Sequence, residues 1–161
     1  MAIEIERKFL VESDEWRRDA GSGRRFCQGH VARDGKASVR IRRADDKAYL
    51  TIKGKRTGIA RAEFEYEIPV GEAEEMLHTL CAKPLLEKTR YCVEHAGLTW
   101  EIDVFAGPAA GLIVAEVELR SPDQLISLPR WIGIEVTHDP RYRNSSIVDD
   151  RPPVRAVADA R

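Results

Sequence analysis

The chain has 161 residues, with 26 Lys and Arg against 27 Asp and Glu and a formal net charge of −1. That length fits one domain able to bury a core without disulfide or metal staples. The balanced charge excludes both a global basic field for nucleic acid and an acidic disordered tail. Cys27, Cys81 and Cys92, with no CxxC spacing, read as buried reduced thiols. With no signal-peptide pattern and no apolar run near the ~20 residues that cross a bilayer, the protein reads as soluble and cytoplasmic.

In chain order, MAIEIERKFLV alternates Ile3, Ile5, Phe9 and Val11 against Glu4, Glu6 and Lys8, the period of a strand. A turn is expected near Trp16. The same alternation recurs in KASVRIRRA, KAYLTIKG, RAEFEYEIP, LLEKTRYCVE, LTWEIDVFAG and LIVAEVELR, with shorter forms in QGHVARD and WIGIEVT, predicting about eight strands. A helix is expected at GEAEEMLHTLCA, with Met76, Leu77, Leu80 and Cys81 on one stripe, and weaker ones at SPDQLISLP and PRYRNSSIV. Turn signals stand at Asp34-Gly35, Gly54 to Gly58 and Gly107-Pro108, and no linker or repeat divides the chain. Residues 1–148 read as one domain, and residues 149–161, ending in RPPVRAVADAR, as a flexible tail.

The polar faces of these strands are almost purely ionic: Glu4, Glu6, Lys8; Arg40, Arg42; Lys53; Glu63, Glu65, Glu67; Lys88, Arg90; Glu101, Asp103; Glu116, Glu118. Lys and Glu are weak strand formers, and an ordinary solvent-facing sheet mixes them with Thr, Ser and aromatics. The signs are sorted too, acids on some strands and bases on others. An antiparallel sheet closed into a roomy barrel would turn these faces inward, where enclosed charge needs counter-charge or ligand. Lys and Arg match phosphate oxygens, while paired carboxylates are hard donors suited to Mg²⁺ or Mn²⁺.

The segment EIERK carries the Glu-x-Glu-x-Lys signature, and QGH, SVRIR, LTIK, RAEFE, EKTR, WEIDVF, AEVEL and IGIEVTHDPRYRN follow it in order. In these motifs the chain resembles, from about residue 3 to residue 147, short bacterial members of the CYTH superfamily, the triphosphate tunnel metalloenzymes. The resemblance implies a mostly β, α+β fold: an eight-stranded antiparallel closed tunnel with a few flanking helices. It also implies divalent metal and chemistry on triphosphate substrates. It makes Glu4, Glu6, Glu116 and Glu118 metal-binding acids, and Lys8, Arg40, Arg42, Lys53, Lys88 and Arg90 the phosphate cradle. Of these, Glu4, Glu6, Lys8, Lys88 and Arg90 are also expected to be catalytic. Glu63, Glu65 and Asp103 are expected to orient bases or complete a metal shell, and Glu67 and Glu101 to be surface or network charges.

One departure stands out: where many relatives read Gln-Gly-Tyr, this chain has Gln28, Gly29, His30. A lone histidine is more often a tunnel wall than a ligand, and His78, His95 and His138 lack zinc-ligand spacing. Trp16, Trp100 and Trp131 read as packing anchors. The leading expectation is hydrolysis of inorganic tripolyphosphate to diphosphate and orthophosphate, with a homodimer left open. Its rivals are thiamine triphosphatase, nucleotide or RNA triphosphatase, adenylate cyclase and a non-catalytic polyphosphate-binding module.

Overall fold

The alternating opening folds as β1 (Ile3–Val11) in the computed structural model, which describes residues 2–147. After a 3-10 turn at Glu15–Arg18 come β2 (Arg24–Arg33), β3 (Ala37–Ala44), β4 (Lys47–Gly54) and β5 (Ala60–Ile68). Helix α1 (Val70–Thr79) is followed by β6 (Leu86–His95), β7 (Leu98–Ala106), β8 (Ile113–Glu118) and β9 (Ile132–Glu135). The β6–β7 hairpin turns on Ala96 and Gly97, both at positive φ (49° and 79°), the handedness that matches strand twist.

All strand pairings are antiparallel, and they close a ring: β1, β5, β4, β3, β2, β6, β7, β8 and back to β1. These eight strands are the expected tunnel. The ninth, β9, pairs with the far end of β1 on the edge that β5 uses nearer the N terminus. Closure leaves the ring without an unpaired edge.

Because the side chains alternate, the outward apolar positions need cover. Phe9, Trp100, Ile102, Ala115 and Val117 on β1, β7 and β8 pack beneath Trp16, Trp131 and Ile132, with Trp100 5.5 Å from Phe9 and 5.9 Å from Trp131. Helix α1 covers the opposite wall, burying Ala73 and Leu77, with Cys81 just past its end, against Ile41 and Ala48 of β3 and β4. Its buried stripe is therefore Ala73–Leu77, one helical turn apart, and Leu80, expected inside, is 58% exposed. A third cluster closes one end of the tunnel: Leu10, Leu86, Phe105 and Val114 meet Val136, Tyr142 and Ile147 of the C-terminal segment.

Three expectations fail locally. No helix forms at SPDQLISLP, which is a turn and then irregular chain; Leu125 is 97% exposed, so no packed face repays helix nucleation between Pro122 and Pro129. Only Cys81 of the three free thiols is buried; Cys27 is half-buried and Cys92 exposed. PRYRNSSIV begins with a 3-10 turn at Pro140–Tyr142 rather than an α-helix. The tail expected over residues 149–161 lies outside the described residues. Among the described residues no helix is long and apolar enough to cross a membrane.

Candidate active site

The ring encloses a cavity of about 240 Å³ whose lining, among the described residues, carries eight cationic and seven carboxylate side chains and no Phe, Tyr or Trp. Strand parity puts most of them there. Register then sets neighbours: Glu6 lies opposite Glu118 and Lys8 opposite Glu116, while on the next strand Glu101 faces Glu116. On the far wall Arg40 pairs with Thr51 and Thr51 with Glu65, while Lys53 pairs with Glu63.

Each acid expected to bind metal sits in a distinct field. Burial raises the Glu4 carboxyl, but Lys53 at 3.1 Å, Glu63 and Arg61 at 3.1 Å outweigh it and hold the group at about 2. Burial, then the Glu116 charge, pushes Glu6 up to about 7, with Arg56 3.5 Å away. Burial also opposes ionisation of Glu116, yet Lys8 at 3.1 Å, Arg90 and Lys88 hold it well below the usual carboxylate range. Glu118 is raised by burial and then by Glu4, Glu101 and Glu63.

Among the described residues no three acidic, His or Cys side chains converge as a ready-made metal cage. The reason is visible in the partners: Glu4, Glu6 and Glu116 are each held by a Lys or Arg. Even so, the donor set fits a hard divalent cation, because Glu6 and Glu118 face each other across β1 and β8 with both carboxyls raised by burial and then by neighbouring carboxylates.

The cations present unused donors. The Nε of Arg40 and the Nε of Arg42 are buried with no hydrogen-bond partner. Glu65 gathers the other ends of both guanidiniums, at 3.8 Å from Arg40 and 3.3 Å from Arg42, and accepts from Thr51 Oγ1 at 2.9 Å. Burial, with Arg42 next to it, lowers Arg40 to about 10, still charged at neutral pH. Lys8 Nζ donates to the Tyr142 carbonyl at 3.0 Å, tying the C-terminal segment to the tunnel wall.

Of the residues singled out from sequence, Glu4, Glu6, Lys8, Arg40, Arg42, Lys53, Glu63, Glu65, Arg90, Glu116 and Glu118 all line the cavity. Lys88 and Asp103 do not. They form a fully buried pair, Nζ to Oδ2 at 2.7 Å, and Asp103 also takes Arg90 through two bonds at 2.7 and 2.9 Å. Burial drops Lys88 to about 8 despite Asp103. Lys88 and Asp103 thus stand behind Arg90, which faces the cavity.

Glu101, expected to be a surface or network charge, lines the cavity and pairs with Arg90, whereas Glu67 is exposed beside Lys47, as expected. Sequence reading missed Arg56 and Arg61, from the β4–β5 turn and the start of β5, and Arg143, Asn144 and Ser145 of the C-terminal segment. For Arg61 the signal was parity with Glu63; the others carry no periodicity. His30 lines the cavity, while His78, His95 and His138 do not.

The CYTH domain model matches residues 2–149. An inorganic triphosphatase of Acetivibrio thermocellus is 51% identical over 148 residues, covering 92% of this chain and 94% of its own. An inorganic triphosphatase of Nitrosomonas europaea is 36% identical over 149 residues, covering 89% and 95%. Among solved structures, the crystal structure of an inorganic triphosphatase superposes with a TM-score of 0.66 at 33% identity, covering 92% of this chain and 95% of that one. The closed ring, the ionic cavity and these matches agree, and the chain belongs to the CYTH domain family.

Proposed function

We propose that the protein is a metal-dependent inorganic triphosphatase, cleaving tripolyphosphate to diphosphate and orthophosphate inside the tunnel. The observation that carries this reading is the cavity wall itself: cations and carboxylates with no Phe, Tyr or Trp among the described lining residues. A nucleobase or thiamine asks for stacking planes and directed hydrogen bonds, whereas a bare triphosphate asks for cations and metal.

In this reading Lys8, Arg40, Arg42, Lys53 and Arg90, joined by Arg56, Arg61 and Arg143, hold the phosphates. Glu4, Glu6, Glu116 and Glu118 hold Mg²⁺ or Mn²⁺, which when bound supplies charge neutralisation and an acidified water. Glu63 and Glu65 orient Lys53 and the Arg40/Arg42 pair. Lys88 and Asp103 fix Arg90. No nucleophilic side chain is needed, and the three thiols, each raised by burial, lie off the cavity. A homodimer is favoured by Ile52, Phe64 and Tyr66, exposed on the outer faces of the adjacent strands β4 and β5.

The test is a panel of tripolyphosphate, ATP, thiamine triphosphate and diphosphate at matched free Mg²⁺ or Mn²⁺. The expected kcat/KM for tripolyphosphate exceeds that for ATP at least ~100-fold, a difference of ~2.7 kcal/mol in transition-state stabilisation. Comparable efficiency on ATP, or cyclic AMP as a product, defeats it.

A further inference from the structure

His30, with Asn144 and Ser145, lines both the tunnel and a second, smaller cavity of about 20 Å³, to which Gln28 and Lys83 also contribute. On the tunnel side it lies opposite Arg40 in the β2–β3 register. The strongest charges acting on the imidazole are all cationic and come from four strands: Arg33 of β2, Arg40 of β3, Lys53 of β4 and Arg61 of β5. Arg143 of the C-terminal segment lines the same tunnel. The acids across the tunnel are already engaged: Glu4 by Lys53 and Arg61, Glu63 by Lys53, and Glu65 by Arg42. Burial and this crowd of cations hold the ring at about 4, so it is neutral in the free protein.

The smaller cavity supplies a second, independent observation. Gln28 is fully buried with its amide nitrogen and oxygen unpartnered, and Asn144 Oδ1 is buried and unpartnered as well. Buried polar groups of this kind are normally satisfied by protein or water, and the cavity has room for one water. Unpartnered acceptors therefore stand in the smaller cavity that His30 lines, the Gln28 amide oxygen off the tunnel and Asn144 Oδ1 on a residue that lines both cavities. A neutral imidazole has one N–H to give; the protonated ring has two.

We propose that His30 is the proton-linked member of the cradle. It is neutral while the tunnel holds no anion, takes up one proton from solvent when a triphosphate enters, and then opposes the phosphates as an added cation. Its second N–H is satisfied from the Gln28/Asn144 cavity, directly or through a water. The inference rests on the triphosphatase reading and assigns to this chain a pH-dependent component of substrate affinity.

The experiment is calorimetric titration with a methylene-bridged tripolyphosphate analogue, which resists cleavage, at saturating Mg²⁺ in buffers of different ionisation enthalpy. Near about pH 6, wild type should take up close to one more proton per bound ligand than His30→Gln, because the ligand's own protonation cancels in the comparison. In nuclear magnetic resonance of the wild-type protein the His30 ring titration should move up by ~3 pH units on saturation, a readout that needs no variant. In steady state the KM of His30→Gln for tripolyphosphate should rise about tenfold near about pH 6 and converge with wild type by about pH 9. Tight binding of the analogue with no His30-dependent proton and an unmoved ring titration overturns the inference and leaves the triphosphatase reading intact. Failure of the same preparation to bind the analogue or to cleave tripolyphosphate overturns both.

Discussion

Glu6→Gln keeps the shape of a side chain that is 8% exposed and removes only its capacity for charge. In the folded protein burial and Glu116 hold this carboxyl at about 7, against an ordinary value of 4.5. A carboxyl raised on folding favours the native state below 4.5, and that stability is lost as pH climbs through 7, because the native state then surrenders a proton the unfolded chain gave up earlier. The full gap corresponds to about 3 kcal/mol at 1.36 kcal/mol per pH unit. Losing the 3.5 Å contact with Arg56 returns roughly 1 kcal/mol of that. Metal-free Glu6→Gln should therefore be more stable than wild type by about 2 kcal/mol at about pH 8 and no more stable at about pH 5, a rise of about 4–8 °C in melting temperature at the higher pH. The assay is a series of thermal melts in EDTA from about pH 5 to about pH 9, beside metal-dependent phosphate release at neutral pH. Release should be abolished, since a neutral amide replaces a hard anionic donor. A melting difference that does not change with pH refutes the electrostatic account, and full activity in the folded variant refutes Glu6 as a metal-binding acid.

Arg90→Ala and Arg40→Ala should each lower kcat/KM for tripolyphosphate at least ~30-fold, about 2 kcal/mol for a charge-assisted phosphate contact shielded from water; unchanged kinetics would place these guanidiniums outside the cradle. Asp103→Asn leaves Lys88 buried with no counter-charge and unties Arg90, so unfolding titration should show a loss of about 3–5 kcal/mol, and a loss below ~1 kcal/mol would show that Lys88 sheds its proton freely. In Gly29→Ala the new Cβ would stand 2.7 Å from Leu85 Cδ2 and 2.8 Å from Cys81 Cβ, so the melt should fall by the equivalent of ~1–3 kcal/mol, and an unchanged melt would mean that the packing of Cys81 on β2 is slack.

The ring and most of its lining were legible because a period of two is a local property. Once Glu4, Glu6 and Lys8 occupy alternate positions, the face they share is fixed whatever the rest of the chain does. The same rule puts Glu101 on the face of Asp103, and its pairing with Arg90 makes it a network charge that also lines the cavity. Register is not local. Parity alone puts Lys88 on the inner face, but only the pairing of Arg90 with Asp103 and of Lys88 with Phe105 shows that Lys88 is sealed behind the wall. Arg56 and Arg143 lie in turns, where no periodicity declares a direction, and they reach the cavity through tertiary placement of the β4–β5 connection and the C-terminal segment. SPDQLISLP has helix-like spacing, but Leu125 and Leu128 find no partner surface and Ile126 alone reaches the core, a fact that only the finished fold contains.

The free tunnel is a set of mutually satisfied charges rather than a basic hole. Lys53 and Arg61 hold Glu4, Arg56 faces Glu6, Lys8 holds Glu116, and Arg40 and Arg42 converge on Glu65. With eight cations against seven carboxylates on the wall, a naked polyanion entering alone would strand the acids, and a naked divalent ion would strand the bases. Under the proposed function, entry of both would exchange partners without stranding either, with the cations meeting phosphate and the carboxylates meeting the metal. The Arg40 and Arg42 Nε donors, buried and unpartnered in the free state, gain acceptors in that exchange. A near-neutral wall of this kind suits a cargo in which the dense negative charge of a triphosphate and the positive charge of its metal arrive together, and the ion pairs that would make that selection are the ones that let so many charges be enclosed in one β-tunnel.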